Sequence, residues 1–301
     1  MFQLFLQYRG EIAALGAALI WACSSVIYTS VGRQLSPLAL NLTKGWIAIA
    51  LLILTLLVVR EPLPQVSSTS LILLLLSGAI GIGFGDTAYF NALNSIGARR
   101  TLLFETLAPA LAGLLALIFL QETLSFQSWF GILMVLAGVS WVLLERLPQE
   151  INSNDRFLRG ILFGLLAALG QAIGAVLSKS AFITADITTL WSTLIRLVGG
   201  TFVLLVWSVA QKQSCDIVKP LQSPNLLLVI AGTAFMSTYL GVWLQQSSLK
   251  FAPTGVAQAL ISTSPLFVLP IAKILGDRVG VRAVAGVIIA LAGVSLLFSR
   301  V

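Results

Sequence analysis

Leu136-Ala137-Gly138-Val139-Ser140 and Leu291-Ala292-Gly293-Val294-Ser295 are one pentapeptide met twice, each time inside the last apolar run of half a chain. Working outward from either copy, the same landmarks recur in the same order. A proline stands in the preceding run, Pro109 in one half and Pro265 in the other, and an acidic turn follows it, Leu120-Gln121-Glu122 and Leu275-Gly276-Asp277. Gly78 has its counterpart in Gly232, and the cation Lys44 in Arg196 at nearly the same depth of its run. Ala18-Leu19, Ala22, Val26 and Ser30 recur as Ala168-Leu169, Ala172, Val176 and Ser180. Matches among apolar residues are cheap in a reduced alphabet; an ordered series that includes a cation, a proline and an acid is not.

The runs themselves identify the solvent. Of 301 residues 58% are hydrophobic and 10% charged, with a mean hydropathy of +0.99. A water-facing domain keeps about a quarter of its residues charged, so this chain lacks the polar residues for an aqueous shell. About 20 apolar residues cross the hydrocarbon layer as a helix. That ruler predicts spans at 12–31, 38–59, 70–93, 101–120, 126–144, 157–180, 187–210, 225–248, 254–275 and 282–299, separated by breaks such as Ser36-Pro37 and Glu61-Pro62-Leu63-Pro64. The fold class expected is therefore all-α integral membrane, ten transmembrane helices arranged as two inverted five-helix repeats, 11–145 and 157–300. The polar stretch Glu145 to Arg159 links them, and a loop from Gln211 to Pro224 separates the seventh and eighth spans. Five spans is an odd number, so the second repeat enters the membrane from the opposite face; carriers built in this way hold their substrate near the midplane between the repeats. The first run follows a short N-terminus without a small-residue cleavage site, and is read as a retained helix.

Charge and residue usage narrow the function. The net charge is +7, but the basic residues stand singly at the ends of apolar runs, which suits topology signals and lipid headgroups and not a nucleic-acid stripe. There is no His, and Cys23 and Cys215 have no metal-ligand spacing, so neither a cofactor nor a metal is called for. No nucleophile–base constellation for an intramembrane enzyme is visible, nor a Gly-Lys-Ser/Thr phosphate loop for ATP-driven pumping.

The ordered elements resemble the EamA domain of the drug/metabolite transporter superfamily, present twice and covering essentially the whole chain. They are Ala18-Leu19-Ile20-Trp21-Ala22, the cation of the second helix, the turns Gln121-Glu122-Thr123-Leu124 and Gly276-Asp277-Arg278-Val279, and the small-residue motifs around Gly138 and Gly293. The resemblance implies a permease or exporter for amino acids, other metabolites, nucleotide sugars or drugs, in the plasma membrane of a bacterium, as monomer or homodimer. The chain departs from the pattern where Ala108 and Ser264 replace the Glu often found before the proline, and where Asp277 replaces a Glu; no substrate transfers with the fold. An uncoupled facilitator, and a non-transporting sensor or assembly factor, are the other readings.

Ionisable groups inside a span cost several kcal/mol or more unless paired or hydrated, which singles out Lys44, Asp86, Glu105 and Arg196. Asp86 lies well inside the third span, after Gly81, Gly83 and Gly85, with Tyr89 and Phe90 on its face. With Tyr89, Trp243, Lys44 and Arg196 it forms the expected substrate site; Asp86 or Glu105 would carry a coupled proton. Each has a structural alternative: Lys44 and Arg196 can snorkel or pair, Asp86 can join a fixed ion pair, and the depth of Glu105 depends on where the fourth helix starts. Tyr89 and Trp243 are read as equivalent positions, and Trp21, Tyr28, Gln171 and Gln245 are further polar groups within spans. Loops after the odd-numbered spans carry about twice the Lys and Arg of the others, which assigns them to the cytoplasm.

Overall fold

A computed structural model describes residues 6–31, 36–144, 154–210, 223–274 and 281–299, and every regular element among them is a helix. The first half contains α1 (Arg9–Val31), α2 (Pro37–Val59), α3 (Ser68–Gly78), α4 (Asp86–Ile96), α5 (Ala98–Glu105), α6 (Ala108–Leu120) and α7 (Phe126–Leu144). The second repeats the series as α8 (Asn154–Thr184), α9 (Thr189–Ala210), α10 (Pro224–Thr233), α11 (Gly241–Phe251), α12 (Thr254–Ile261), α13 (Ser264–Ile274) and α14 (Val281–Phe298). The second acidic turn with Asp277, the loop with Cys215 and the linker residues 145–153 lie outside the described residues, as do the side chains of Tyr28 and Lys273.

Among the described residues seven helical stretches are long and apolar enough to cross a membrane, including Ser68–Ile96, Asp155–Thr184 and Pro224–Phe251; Thr254–Pro270 and Ala283–Phe298 are shorter apolar helices. The polarity is inverted relative to a soluble protein. Val58, Phe119 and Leu228 are 73%, 71% and 73% exposed, whereas Ser77, Ser178, Ser192, Thr193 and Gln246 are fully buried. Local chemistry sets the ends. The Ser36 hydroxyl accepts from Ala39 N (3.3 Å) ahead of Pro37, an N-cap that satisfies an otherwise orphaned amide. Ser67 does the same for Ser70 N at 3.1 Å.

Two features depart from the ten regular rods expected. The third and eighth stretches are interrupted midway by π-helical turns, Ala79–Gly85 and Ala234–Leu240. The fourth and ninth are each two helices. α5 ends at Glu105 and α12 at Ile261, the residues four before Pro109 and Pro265. A proline has no N–H to donate to the carbonyl four residues back, and its ring crowds it, so the helix stops there and restarts.

The halves run antiparallel where their last helices meet. Gly131 of α7 lies against Gly293 and Leu297 of α14, and Gly138 lies against Gly286 and Ala290; as numbers rise on one helix they fall on the other. The glycine of each pentapeptide thus lies in a contact between the halves. A Cβ on Gly138 would sit 2.5 Å from both Ala290 N and Gly286 O, so the backbones touch, as small residues permit in membranes. The remaining contacts are exchanged reciprocally. α4 packs on α8 as α11 packs on α1, and α6 packs on α8 as α13 packs on α1. Gly81 and Gly85 meet Gly174 and Gly170 across the first of these pairs, while the Ser77 hydroxyl donates to Gly174 O at 2.6 Å.

One polar knot ties helix ends from both halves. Lys179 of α8 donates to Leu249 O and Ala252 O, both at 2.9 Å, taking the last carbonyls of α11. Its ammonium lies 3.7 Å from Glu122 Oε1, and Glu122 Oε2 accepts from Thr254 N (2.8 Å), the first residue of α12. A cation at a helix C-terminus beside an anion at an N-terminus is favourable on both counts. The acid of the repeated turn is therefore a cap for a helix of the other repeat.

Two stability measurements check this packing. Gly138→Val is expected to destabilise by about 1–3 kcal/mol, the usual cost of forcing added methyl groups into a filled contact, and to lower the melting midpoint in detergent; Leu133→Val, on the exposed face of the same helix, serves as the neutral comparison. Lys179→Met leaves two carbonyls without their donor and Glu122 without its cation. A loss of about 1–3 kcal/mol is expected, and Lys179→Arg is expected to retain most of the wild-type midpoint.

Candidate functional site

The π turn Ala79–Gly85 brings the polar groups of both halves together. A π turn widens the helix by one residue per turn and is common at functional sites. Here its three glycines leave room for α8 on one side and α9 on the other. Asp86 begins α4 directly after the turn, and its Oδ1 accepts from Gln171 Nε2 of α8 at 3.2 Å. A Cβ on Gly81 would lie 3.0 Å from Arg196 Nη2, so the glycine is where the guanidinium passes. Arg196, only 1% exposed, is the largest fully buried side chain among the described residues, and its Nη1 donates to Gln245 Oε1 of α11 at 3.1 Å. Full burial excludes snorkelling for this residue.

Lys44 on α2 is partly exposed and donates to Asn41 Oδ1 at 3.3 Å. Both Lys44 and Arg196 act electrostatically on Asp86. Glu105, at the end of α5, interacts with Asp86 and with Tyr89. Glu105 Oε1 is buried within the protein and has no hydrogen-bond partner. Arg196 Nε and Gln246 Oε1 share that condition. Buried polar atoms in native proteins are almost always paired, so Glu105 Oε1 and Arg196 Nε each retain capacity for a polar partner. Tyr89 packs edge-on against Phe90, centroids 5.5 Å apart.

Trp243 belongs to a neighbouring group. Its indole N–H donates to Thr189 Oγ1 (2.9 Å), and its ring lies 6.4 Å from that of Tyr239, whose hydroxyl pairs with Thr55 at 2.8 Å. The expected pairing of Tyr89 with Trp243 differs by one residue from the register of the π turns. The turns begin 155 residues apart, a register that sets Tyr89 opposite Leu244 and Trp243 opposite Ala88. One residue is about 100° of helix rotation, enough to turn a ring to a different neighbour. Trp21 instead bridges the halves, donating to Ser237 O within the second π turn at 2.8 Å. The glycine triplet before Asp86 was the visible sign of the first π turn; the second, Ala234-Phe235-Met236-Ser237, carries no such sign.

Residues 8–144 and 158–299 each match the model of the EamA-like transporter family. A solved crystal structure is similar over 96% of this chain and 96% of its own, with a TM-score of 0.77 and 17% sequence identity, a likeness of fold alone. No curated protein matches. Both halves of this helical membrane protein fit one family pattern, and the chain belongs to the EamA-like transporter family.

Proposed function

We propose that this chain is a secondary carrier that crosses the membrane ten times and moves small zwitterionic metabolites, amino acids foremost, by alternating access between its inverted halves. The observation that carries the reading is the set Lys44, Arg196, Asp86 and Glu105, two cations and two acids near the first π turn, contributed by both halves, with Arg196 buried and the other three partly buried. Charges in a desolvated site need charged or hydrogen-bonding partners. A zwitterion brings one charge of each sign and leaves the balance unchanged, with its carboxylate toward Arg196 and Lys44 and its ammonium toward Asp86 and Glu105. An anion or a cation alone would unbalance the set. Tyr89 and Trp243 supply aromatic wall, and Gln171 and Gln245 hold Asp86 and Arg196 in place.

Alternating access requires one face closed while the other opens. The knot of Lys179, Glu122 and Thr254 joins the ends of α6 and α11 and the start of α12 to α8, and we assign it to the closed face. The breaks before Pro109 and Pro265, with the π turns, are the points at which helices can bend without stretching a full ladder of hydrogen bonds. We assign a coupled proton to the Asp86–Glu105 pair, since two carboxylates within electrostatic reach hold a shared proton more readily than either does alone. The odd-numbered loops, with Asp155, face the cytoplasm of a bacterial plasma membrane; Glu61 faces out.

Counterflow of a radiolabelled amino-acid mixture into proteoliposomes tests the carrier. Wild type is expected to accumulate label, Asp86→Asn to reduce uptake to the empty-liposome level with normal reconstitution, and Glu105→Gln to retain exchange but to lose stimulation by an imposed pH gradient. No uptake by wild type would remove amino acids as substrates, and unchanged uptake by Asp86→Asn would remove Asp86 from the mechanism. Orientation is checked with single cysteines at Glu61 and Asp155 in a background lacking Cys23 and Cys215: an impermeant maleimide added to whole cells is expected to label the first and spare the second.

A further inference from the structure

Where α4 ends and α8 begins, Ser95, Asp155, Arg156 and Arg159 line a depression of about 480 Å³. Arg156 is held there by a hydrogen bond from Nη2 to Asn94 O at 2.9 Å, one of the carbonyls left open at the end of a helix. Arg100, in the first turn of α5, lies over the ring of Phe157 with its guanidinium 5.7 Å from the centroid. Three guanidinium groups and one carboxylate thus gather at one end of the bundle.

The face of α8 that carries Asp155 and Arg159 continues downward as a strip of exposed leucines. Leu158, Leu162, Leu165 and Leu169 are 57%, 57%, 43% and 39% exposed, and their spacing of four, three and four keeps them on one side of the helix. Gly160 and Gly164 lie on the packed side, against Ile96 and Phe104. From Leu158 to Leu169 the helix rises about 16 Å, close to half of the ~30 Å hydrocarbon layer. A soluble anion would use only the top of this groove; a phospholipid matches both parts, headgroup to arginines and acyl chain to leucines over one leaflet.

We propose that this groove is a binding site for one anionic phospholipid, with its phosphate between Arg156 and Arg159 and an acyl chain along Leu158, Leu162, Leu165 and Leu169. Basic pockets between membrane helices recognise anionic headgroups through charge and hydrogen bonds. Asp155 sets a limit on that charge and favours a headgroup with a free hydroxyl donor, such as glycerol. The site stands apart from the transport cluster; only its assignment to the cytoplasmic leaflet rests on the orientation proposed above.

Native mass spectrometry of the full-length detergent-solubilised protein tests it with phosphatidylglycerol and phosphatidylcholine of identical acyl chains. Phosphatidylglycerol is expected to be retained on the order of tenfold better, from the attraction of two surface arginines to an anionic lipid. Arg156→Ala/Arg159→Ala is expected to abolish the preference, and Arg156→Lys/Arg159→Lys to keep it because both charges remain. Arg159→Gln, which leaves the Arg156–Asn94 contact intact, is expected to fall between wild type and the double alanine variant, and it decides the matter should that variant not fold. An undiminished preference in Arg159→Gln or the double alanine variant overturns the site. Displacement of phosphatidylglycerol from wild type by millimolar inorganic phosphate overturns the lipid as its occupant.

Discussion

In hydrocarbon a peptide N–H or C=O has no water to turn to, and leaving one unpaired costs several kcal/mol. That single constraint explains why the described residues form nothing but helices, and it makes each interruption of a helix informative. The π turns Ala79–Gly85 and Ala234–Leu240 and the breaks after Glu105 and Ile261 all fall where other helices cover the backbone. Irregular backbone is tolerated at membrane depth only where protein or a polar cavity receives it. The irregular segments are therefore gathered at the inter-repeat surface, and Asp86, Glu105 and Arg196 lie beside them.

Packing without a hydrophobic effect follows from the same solvent. Lipid tails are as apolar as leucine, so helices gain by close approach and not by escaping water. Gly131 and Gly138 against Gly293 and Gly286, and Gly81 and Gly85 against Gly174 and Gly170, bring backbones into contact. These small-residue seams allow Ser77 to reach a carbonyl on the neighbouring helix, and they hold the charged cluster away from lipid. The seams and the site are therefore one arrangement: moving α8 outward by the width of a methyl group would also separate Gln171 from Asp86.

Much of this was legible in the sequence, because lipid imposes simple rules on residue choice. The repeat, the glycine-mediated contact and the candidate status of Asp86 and Arg196 follow from pentapeptides, run lengths and the rarity of charge within spans. The prolines predicted bends, and the residue four before each one locates the break. What remained hidden depended on rotation and on distant partners. The sequence pairing of Tyr89 with Trp243 is one residue off the register of the two π turns, and one residue is about 100° of helix rotation. Lys179 sits in an apolar run and reads as a topology marker; only the fold brings the end of α11 and the start of α12 to it.

The knot around Lys179 and the cluster around Asp86 use charge in opposite ways. Lys179 and Glu122 are each committed to backbone groups at helix ends, two carbonyls and one amide, so their charges are spent on holding helices in register. In the cluster, Asp86 and Arg196 are each held by one amide side chain, while Glu105 Oε1 and Arg196 Nε keep unused hydrogen-bonding capacity. A group with its valences filled by backbone serves architecture; a buried one with valence to spare exerts a pull on whatever polar molecule reaches it. By that criterion the acid that the repeat pattern marks most plainly, Glu122, falls on the structural side, with its carboxylate committed to the first amide of α12.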